Sequence, residues 1–182
     1  IAVFAAMIRP LHKKYLRWRM QDIYQFLSEH DIAYERFDHP AVFTCEEAER
    51  LCPEMPGTSI KNLFLRDRTG EKYFLVVVGY GKSVDLKKLQ PVLGGSKLSF
   101  GSPERLKEFL GVDPGSVTLL GLIHDAAKKI TVVIDTELWG KDFQCHPLVN
   151  TATLVVSHEG LKKFLGATGH EPLIVEVPAR LA

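Results

Sequence analysis

The stretch IKNLFLRDRTGEKYFLVVVG, residues 60–79, decides the fold. Two runs rich in apolar, aromatic and β-branched residues flank the letters DRTG, which predicts a β-hairpin with Gly70 in a left-handed conformation. The second run, YFLVVV, is almost wholly apolar, so its strand is expected to be buried on both faces. This hairpin is the strongest predicted element of the chain.

Helix and strand patterns alternate on both sides of the hairpin. Asp22 is a candidate N-cap for a helix at 22–30, while Ser102, Pro103 and Gly111 mark the start and end of another helix. A third capped helix is predicted in SHEGLKKFLGATGH, and strand patterns occur in AYERFDHP, KITVVID, NTATLVVS and PLIVEV. This mixed order predicts an α+β domain with a mixed, mainly antiparallel central sheet flanked by helices.

The size and charge of the chain limit its function. Its 182 residues suggest one domain at 20–182, preceded by a basic extension or leader at 1–19. That extension holds five basic residues and no acidic one, which leaves 18 basic against 22 acidic residues in the remainder. The domain is therefore no general nucleic-acid binder, and any contact with RNA must use a local patch and a pocket. The extension is alternatively an arm that contacts RNA or a partner.

Three cysteines do not make a disulfide framework, and their odd number favours a reducing cytoplasm. Thr44, with Glu47 three residues on, is typical of a capping box, and Cys45 and Cys52 are expected to be small apolar residues on a helix face. Their spacing from each other and from Cys145 lacks a zinc-site pattern, so we predict no metal and no cofactor. The chain has no apolar run of the ~20 residues that span a bilayer, so no membrane association is expected.

Two polar residues interrupt the first hairpin strand. In an extended strand Lys61 and Asn62 point to opposite faces, each beside apolar neighbours. The lysine either extends to solvent along its apolar stem or points into a cleft. In a cleft its ammonium group could hold a phosphate, a ribose oxygen or the developing oxyanion of an ester.

A second candidate is the tripeptide Cys145-His146-Pro147. Pro147 restricts His146 to extended geometry, which would fix the direction of its ring. His146 is either a loop residue bonded locally or a group that positions water or an amino group. Cys145 and His146 should point to opposite faces, which argues against a nucleophilic Cys-His pair.

The third candidate is the loop GVDPGSVT at 111–118. Its Pro-Gly pair favours a type II turn. The loop is either a plain turn or a rigid backbone edge that offers N–H and C=O groups to a nucleoside. It lacks the lysine of a Walker loop and the full G-x-G-x-x-G spacing.

Several strings together resemble one family: SIKNLFLRD (59–67), KLSFGSPERL (97–106), GVDPGSVTLLGLIHD (111–125), TVVIDTEL (131–138) and FQCHPLVNTATLVVS (143–157). From Met20 to Val177 the chain resembles the YbaK-like and prolyl-tRNA synthetase insertion-type editing superfamily. Within it, the chain looks most like the free-standing PrdX or ProXp-ala branch.

The resemblance implies an α+β fold without a metal, and hydrolysis of the ester between an amino acid and the terminal adenosine of tRNA. It implies that Lys61, Asn62 and His146 are the catalytic residues. It also implies that the acceptor end is held by a loop of five residues, Gly115, Ser116, Val117, Thr118 and Leu119. Leu119 departs from the family pattern, which has proline at this position.

The expected function is hydrolysis in trans of mischarged tRNA(Pro), with Ala-tRNA(Pro) as the expected substrate. The expected partners are the acceptor end of tRNA(Pro) and prolyl-tRNA synthetase. One alternative is a deacylase of Cys-tRNA(Pro), as in the YbaK branch. Another is a catalytically silent module that binds tRNA or the synthetase.

Overall fold

The computed structural model describes residues 22–41 and 53–180. The predicted extension at 1–19 and the predicted helix with Cys45 and Cys52 lie outside these residues. The described helices are α1 (Ile23–Glu29), α2 (Leu86–Val92), α3 (Pro103–Leu110) and α4 (His158–Thr168), with a 3₁₀ helix at Leu119–His124. The described strands are β1 (Tyr34–Asp38), β2 (Thr58–Arg66), β3 (Tyr73–Gly79), β4 (Ser99–Phe100), β5 (Ile130–Asp135), β6 (Phe143–Cys145), β7 (Ala152–Val156) and β8 (Leu173–Val175).

The hairpin β2–β3 is antiparallel and runs from the pair Ile60–Gly79 to the pair Arg66–Tyr73. Gly70 has a φ of 75°, as predicted. Asp67 closes the turn, because its Oδ1 accepts the backbone N–H of Gly70 at 2.8 Å. The six residues from 73 to 78 are all buried, which confirms the prediction of a strand covered on both faces.

The sheet has the order β1-β7-β6-β2-β3-β5-β8, and β4 pairs with β2. The pairs β2–β6, β3–β5 and β5–β8 are parallel, while the other described pairs are antiparallel. The predicted α+β class with a mixed sheet is therefore confirmed. Strand β6 has only three residues, and the sequence pattern did not predict it.

Alternation along the central strands divides the core into two layers. Phe64, Leu75 and Val77 point to what we call the first face, where they pack with residues of α1, α3, α4 and the 3₁₀ helix. Val76 and Val78 point to the second face, which packs with residues such as Leu89 of α2 and with Val177. Each such buried side chain contributes about 1.5–3 kcal/mol of hydrophobic stabilisation.

The helix ends follow their predicted signals. Asp22 accepts the N–H of Tyr24 at 3.0 Å, and Ser102 accepts that of Arg105 at 3.3 Å. Gly111 ends α3 in the left-handed conformation, with a φ of 70°. In 22–41 and 53–180, no helix has both the length and the apolar character needed to cross a membrane.

Two buried polar pairs fix the two ends of β5. At its start, Oδ2 of Asp125 accepts the N–H of Ile130 at 2.8 Å and lies 3.2 Å from Nε2 of His170. At its end, Nζ of Lys82 donates to Oδ2 of Asp135 at 2.5 Å. Both acids are almost fully buried, and these hydrogen bonds offset the cost of removing their carboxyl groups from water.

Candidate active site

The edge of β2 that faces β6 is only partly paired. At its start, Thr58 and Ser59 pair with β6, and at its end Leu65 and Arg66 pair with β4. Among the described strands, none pairs on this edge with residues 60–63. We call this opening beside residues 60–63 the notch. It lies where the sheet halves β1-β7-β6 and β2-β3-β5-β8 meet.

Lys61 and Asn62 lie at the notch and point to opposite faces. Ile60 packs against the first-face core and Leu63 against the second-face core, so alternation places Asn62 on the first face and Lys61 on the second. Both residues are half-buried. Oδ1 of Asn62 is buried and has no hydrogen-bond partner among the described residues, which leaves a strong acceptor unused.

His146 lies across the notch from Lys61. Ser59 and Gln144 are paired in the parallel register, and Oγ of Ser59 donates to Oε1 of Gln144 at 2.5 Å. The strand pairing ends there, two residues before Lys61 and His146. If the register continued, it would bring these two residues level on the second face.

The surroundings of His146 define its protonation. Nδ1 lies 3.1 Å from the carbonyl oxygen of Ala152, which can only accept, so Nδ1 carries the proton and Nε2 has a free lone pair. Burial lowers the pKa of His146, and the nearby ring of His39 lowers it further, while the bond to Ala152 opposes these effects. His146 is therefore neutral at pH 7 and can accept a hydrogen bond through Nε2.

Sequence reasoning missed His39 and Thr153. His39 is buried, and Nδ1 of its ring donates to the carbonyl oxygen of Pro40 at 2.8 Å. Its Nε2 is 3.0 Å from Oγ1 of Thr153, and the centre of its ring is 6.2 Å from that of His146. The available signal was the dipeptide His39-Pro40, which repeats the His-Pro pair at 146–147.

The loop at 113–118 is joined to His146. Ser116 donates its N–H to the carbonyl of Asp113 at 3.0 Å, and Gly115 has a φ of 90°, as the predicted type II turn requires. Thr118 is fully buried, and its Oγ1 donates to the carbonyl oxygen of His146 at 2.8 Å. This bond brings one end of the loop to the notch.

The five loop residues differ in accessibility. Gly115 is exposed, whereas Ser116 is half-buried and its N–H is already bonded within the turn. Val117 packs against the first-face core, and the side chain of Leu119 is fully buried within it. Leu119 therefore supports the loop by packing and exposes no atom to a ligand.

Cys145 does not have the environment of a nucleophile. Its side chain is buried in the first-face core, whereas His146 lies on the second face. Burial raises the pKa of its thiol to about 12, so the thiolate is negligible at neutral pH. In the described ranges, no three His, Cys, Asp or Glu side chains lie close enough together to hold a metal ion.

The fold of this chain is found in solved structures. One of them, described as a candidate trans-editing enzyme for prolyl tRNA synthetase, superposes with a TM-score of 0.63 at 19% identity and covers 96% of this chain and 100% of its own. At this level of identity the likeness shows the fold. The chain thus shares the fold of that structure.

The family described as aminoacyl-tRNA editing domain matches residues 39–164, and the chain belongs to this family. A relative from Acetoanaerobium sticklandii, named prolyl-tRNA editing protein ProX, is 38% identical over 83% of this chain and 93% of its own length. A relative from Danio rerio, named prolyl-tRNA synthetase associated domain-containing protein 1, is 34% identical over 85% of each chain. The chain is an enzyme, an aminoacyl-tRNA deacylase, which confirms the resemblance drawn from the sequence.

Proposed function

We propose that this chain hydrolyses mischarged tRNA(Pro) in trans and that its substrate is Ala-tRNA(Pro). The observation that carries the proposal is the notch, where the register of β2 and β6 directs Lys61 and His146 to the same side of the sheet and the loop 113–118 is bonded to the carbonyl of His146. The names of the two relatives support tRNA(Pro) as the nucleic acid, and the name of the Danio rerio protein supports prolyl-tRNA synthetase as a further partner.

The reaction is attack by water on an ester that is already activated. The water oxygen bonds to the carbonyl carbon, the bond from that carbon to the ribose oxygen breaks, and a proton passes to the ribose oxygen. The products are the free amino acid and tRNA with a free hydroxyl group. Positioning and stabilisation of the oxyanion are enough for such an ester, so no nucleophilic side chain is needed.

Lys61 and His146 have complementary roles in this proposal. The ammonium group of Lys61 stabilises the negative charge that develops on the carbonyl oxygen. Nε2 of His146 accepts a hydrogen bond from the attacking water or from the amino group of the substrate. It can do so because Ala152 already holds the proton on Nδ1.

The remaining predicted residues bind and orient the substrate. The exposed backbone of Gly115, beside Ser116, binds the terminal adenosine, while Thr118 fixes the loop to His146. Val117 and Leu119 support the loop from the core. Asn62 offers its unused Oδ1 from the first face of the notch, where it can accept a hydrogen bond from the amino group.

Discrimination by size follows from the role of an editing site. A synthetase pocket rejects side chains that are too large but discriminates poorly against smaller ones, so a second site must remove the small ones. A pocket that admits alanine and excludes proline provides this second sieve. The Lys61-Asn62 pair and the string HPLVNTAT, as they resemble the ProXp-ala branch, favour alanine over cysteine.

The test is a panel of tRNA(Pro) charged separately with alanine, cysteine and proline, with the rate of amino-acid release measured for each at limiting enzyme. We expect alanine to be released fastest and prolyl-tRNA(Pro) to be spared. Faster release of cysteine would contradict the assignment of alanine and favour the YbaK-type activity. Tight binding of Ala-tRNA(Pro) without any release would contradict the enzymatic proposal and favour a silent binding module.

A further inference from the structure

We propose that His39 is a positioning residue that holds the imidazole of His146 in its reactive orientation and tautomer. The inference rests on the proposed function of His146, although its structural part can be tested without any activity. His39 itself does not touch the reacting atoms. It acts through residues 151–153 of the neighbouring strand and through direct ring contact.

His39 is hydrogen-bonded to the segment that contains the acceptor for the Nδ1 proton of His146. Its backbone N–H donates to the carbonyl of Thr151 at 3.0 Å, and Nε2 of its ring is 3.0 Å from Oγ1 of Thr153. Ala152 lies between these two attachment points, and its carbonyl accepts from Nδ1 of His146 at 3.1 Å. The carbonyl of Ala152, which accepts the Nδ1 proton of His146, thus lies between two residues that are both hydrogen-bonded to His39.

The tautomer of His39 is itself assigned. Its Nδ1 faces the carbonyl of Pro40 at 2.8 Å, so this nitrogen carries the proton. In the neutral ring Nε2 is then an acceptor, and the hydroxyl of Thr153 donates to it. The orientation of that hydroxyl is fixed as well, which makes the contact specific to a ring nitrogen or a similar acceptor.

The two imidazoles also touch directly. The planes of His39 and His146 make an angle of 63°, with ring centres 6.2 Å apart, in an edge-to-face arrangement. His39 is only 8% exposed, so its ring is packed in place. Rotation of the His146 ring would break the bond to Ala152 and disturb this edge-to-face contact.

A purely structural role for His39 would be modest. Strand β1 is already paired with β7 at five positions, from Tyr34 to Asp38. One more side-chain hydrogen bond adds little to the stability of a strand that is already paired along its length. The placement of the His146 ring is more sensitive, because a displacement of about 1 Å at a reacting group can reduce a rate about 100-fold.

The experiment compares His39→Leu and Thr153→Val with the wild-type chain. Thr153→Val is nearly isosteric, so this variant should fold even if the His39→Leu protein does not. The first readout is the nitrogen NMR spectrum of the His146 ring at a pH where it is neutral, assigned with a His146→Gln variant. The second readout is kcat and KM for deacylation of Ala-tRNA(Pro).

We expect the wild-type His146 to show the Nδ1–H form alone, and both variants to show a mixture with the Nε2–H form. We expect kcat to fall about 10- to 100-fold with KM changed less than twofold, as for misplacement of a reacting group. His39→Gln, whose amide oxygen can accept from Thr153, should recover most of this loss. His30→Leu is the matched control. Nδ1 of His30 also bonds a backbone carbonyl, that of Phe26 at 2.8 Å, but His30 lies at the C-terminal end of α1.

An unchanged Nδ1–H form of His146 in both His39→Leu and Thr153→Val would overturn the inference, whatever their activity. So would an equal loss of kcat in His30→Leu. If the wild-type chain released no amino acid, the proposed function would fail, while the NMR comparison would still decide whether His39 positions the ring.

Discussion

A backbone carbonyl determines which ring nitrogen of His146 carries the proton. Its Nδ1 is held by the carbonyl of Ala152, so the second nitrogen is the one that can meet water or an amino group. A histidine whose pKa is lowered by burial remains a hydrogen-bond acceptor under slightly acidic conditions. In the proposed mechanism, this neutral ring complements the positive charge of Lys61.

The first prediction concerns pH. The pKa of His146 is lowered from the ordinary value of 6.5, so the neutral, active ring should persist as the pH falls to 6.5 and be lost only below it. We expect kcat/KM for deacylation, corrected for spontaneous hydrolysis, to have an acid limb with its midpoint below pH 6.5. His146→Gln should remove this limb. A midpoint above 6.5 that belongs to His146 would contradict the assignment.

Some single-residue features were predictable and others were not. The opposite orientation of Lys61 and Asn62 follows from the two-residue period of a strand, and it is confirmed. The separation of Cys145 from His146 follows from the same period. The contact of His39 with His146 joins residues more than a hundred positions apart, so no local pattern could predict it.

At the scale of elements, the notch depends on a strand that is unusually short. Because β6 has three residues, it pairs with only the first two positions of β2 and leaves residues 60–63 open on that edge. Three residues show no clear alternation, so the sequence did not predict β6 and could not predict the opening. The hairpin beside it was predictable, because its long apolar runs and the DRTG turn agree.

The hydrogen bond between the loop 113–118 and His146 can be removed by a single substitution. Thr118→Val keeps the volume of the side chain but removes the bond to the carbonyl of His146, which is 2.8 Å long. We expect deacylation to slow about tenfold through misplacement of the ring and the loop. We also expect the free energy of unfolding to fall by about 1–2 kcal/mol, because the carbonyl of His146 loses its hydrogen-bond partner.

Thr168→Val is the control for this variant. Its Oγ1 also donates to a backbone carbonyl, that of Leu165 at 3.2 Å, but on α4. Deacylation rates under single-turnover conditions and thermal unfolding curves should be measured for both variants. A Thr118→Val enzyme as active as Thr168→Val would show that the loop does not act through His146.

At the scale of the whole molecule, the site lies where two parts of one sheet meet. Ser59 and Gln144, which join these parts, are 85 residues apart in sequence. The α+β class and most individual elements follow from local periodicity and capping. The order of the strands, and therefore the position of His146 relative to β2, depends on such distant pairings and is not encoded in any one segment.

The buried pairs at the ends of β5 keep this arrangement rigid. Asp125 with His170 and Asp135 with Lys82 hold the strand on both sides of its hydrophobic centre. Breaking a buried pair of this kind leaves an uncompensated charge, which is far more costly than losing a surface ion pair. The position of Lys61 thus rests on a scaffold that is fixed well away from the notch.

The most direct measurement is the single-turnover rate of alanine release from Ala-tRNA(Pro) by Lys61→Ala, beside the wild-type chain and Lys72→Ala. Lys72 is an exposed lysine in the turn of the same hairpin and serves as the matched control. We predict that Lys61→Ala loses about 100- to 1000-fold in rate, as expected for an oxyanion-stabilising group, and unfolds at the wild-type temperature. Release at the wild-type rate by a folded Lys61→Ala protein would contradict the account.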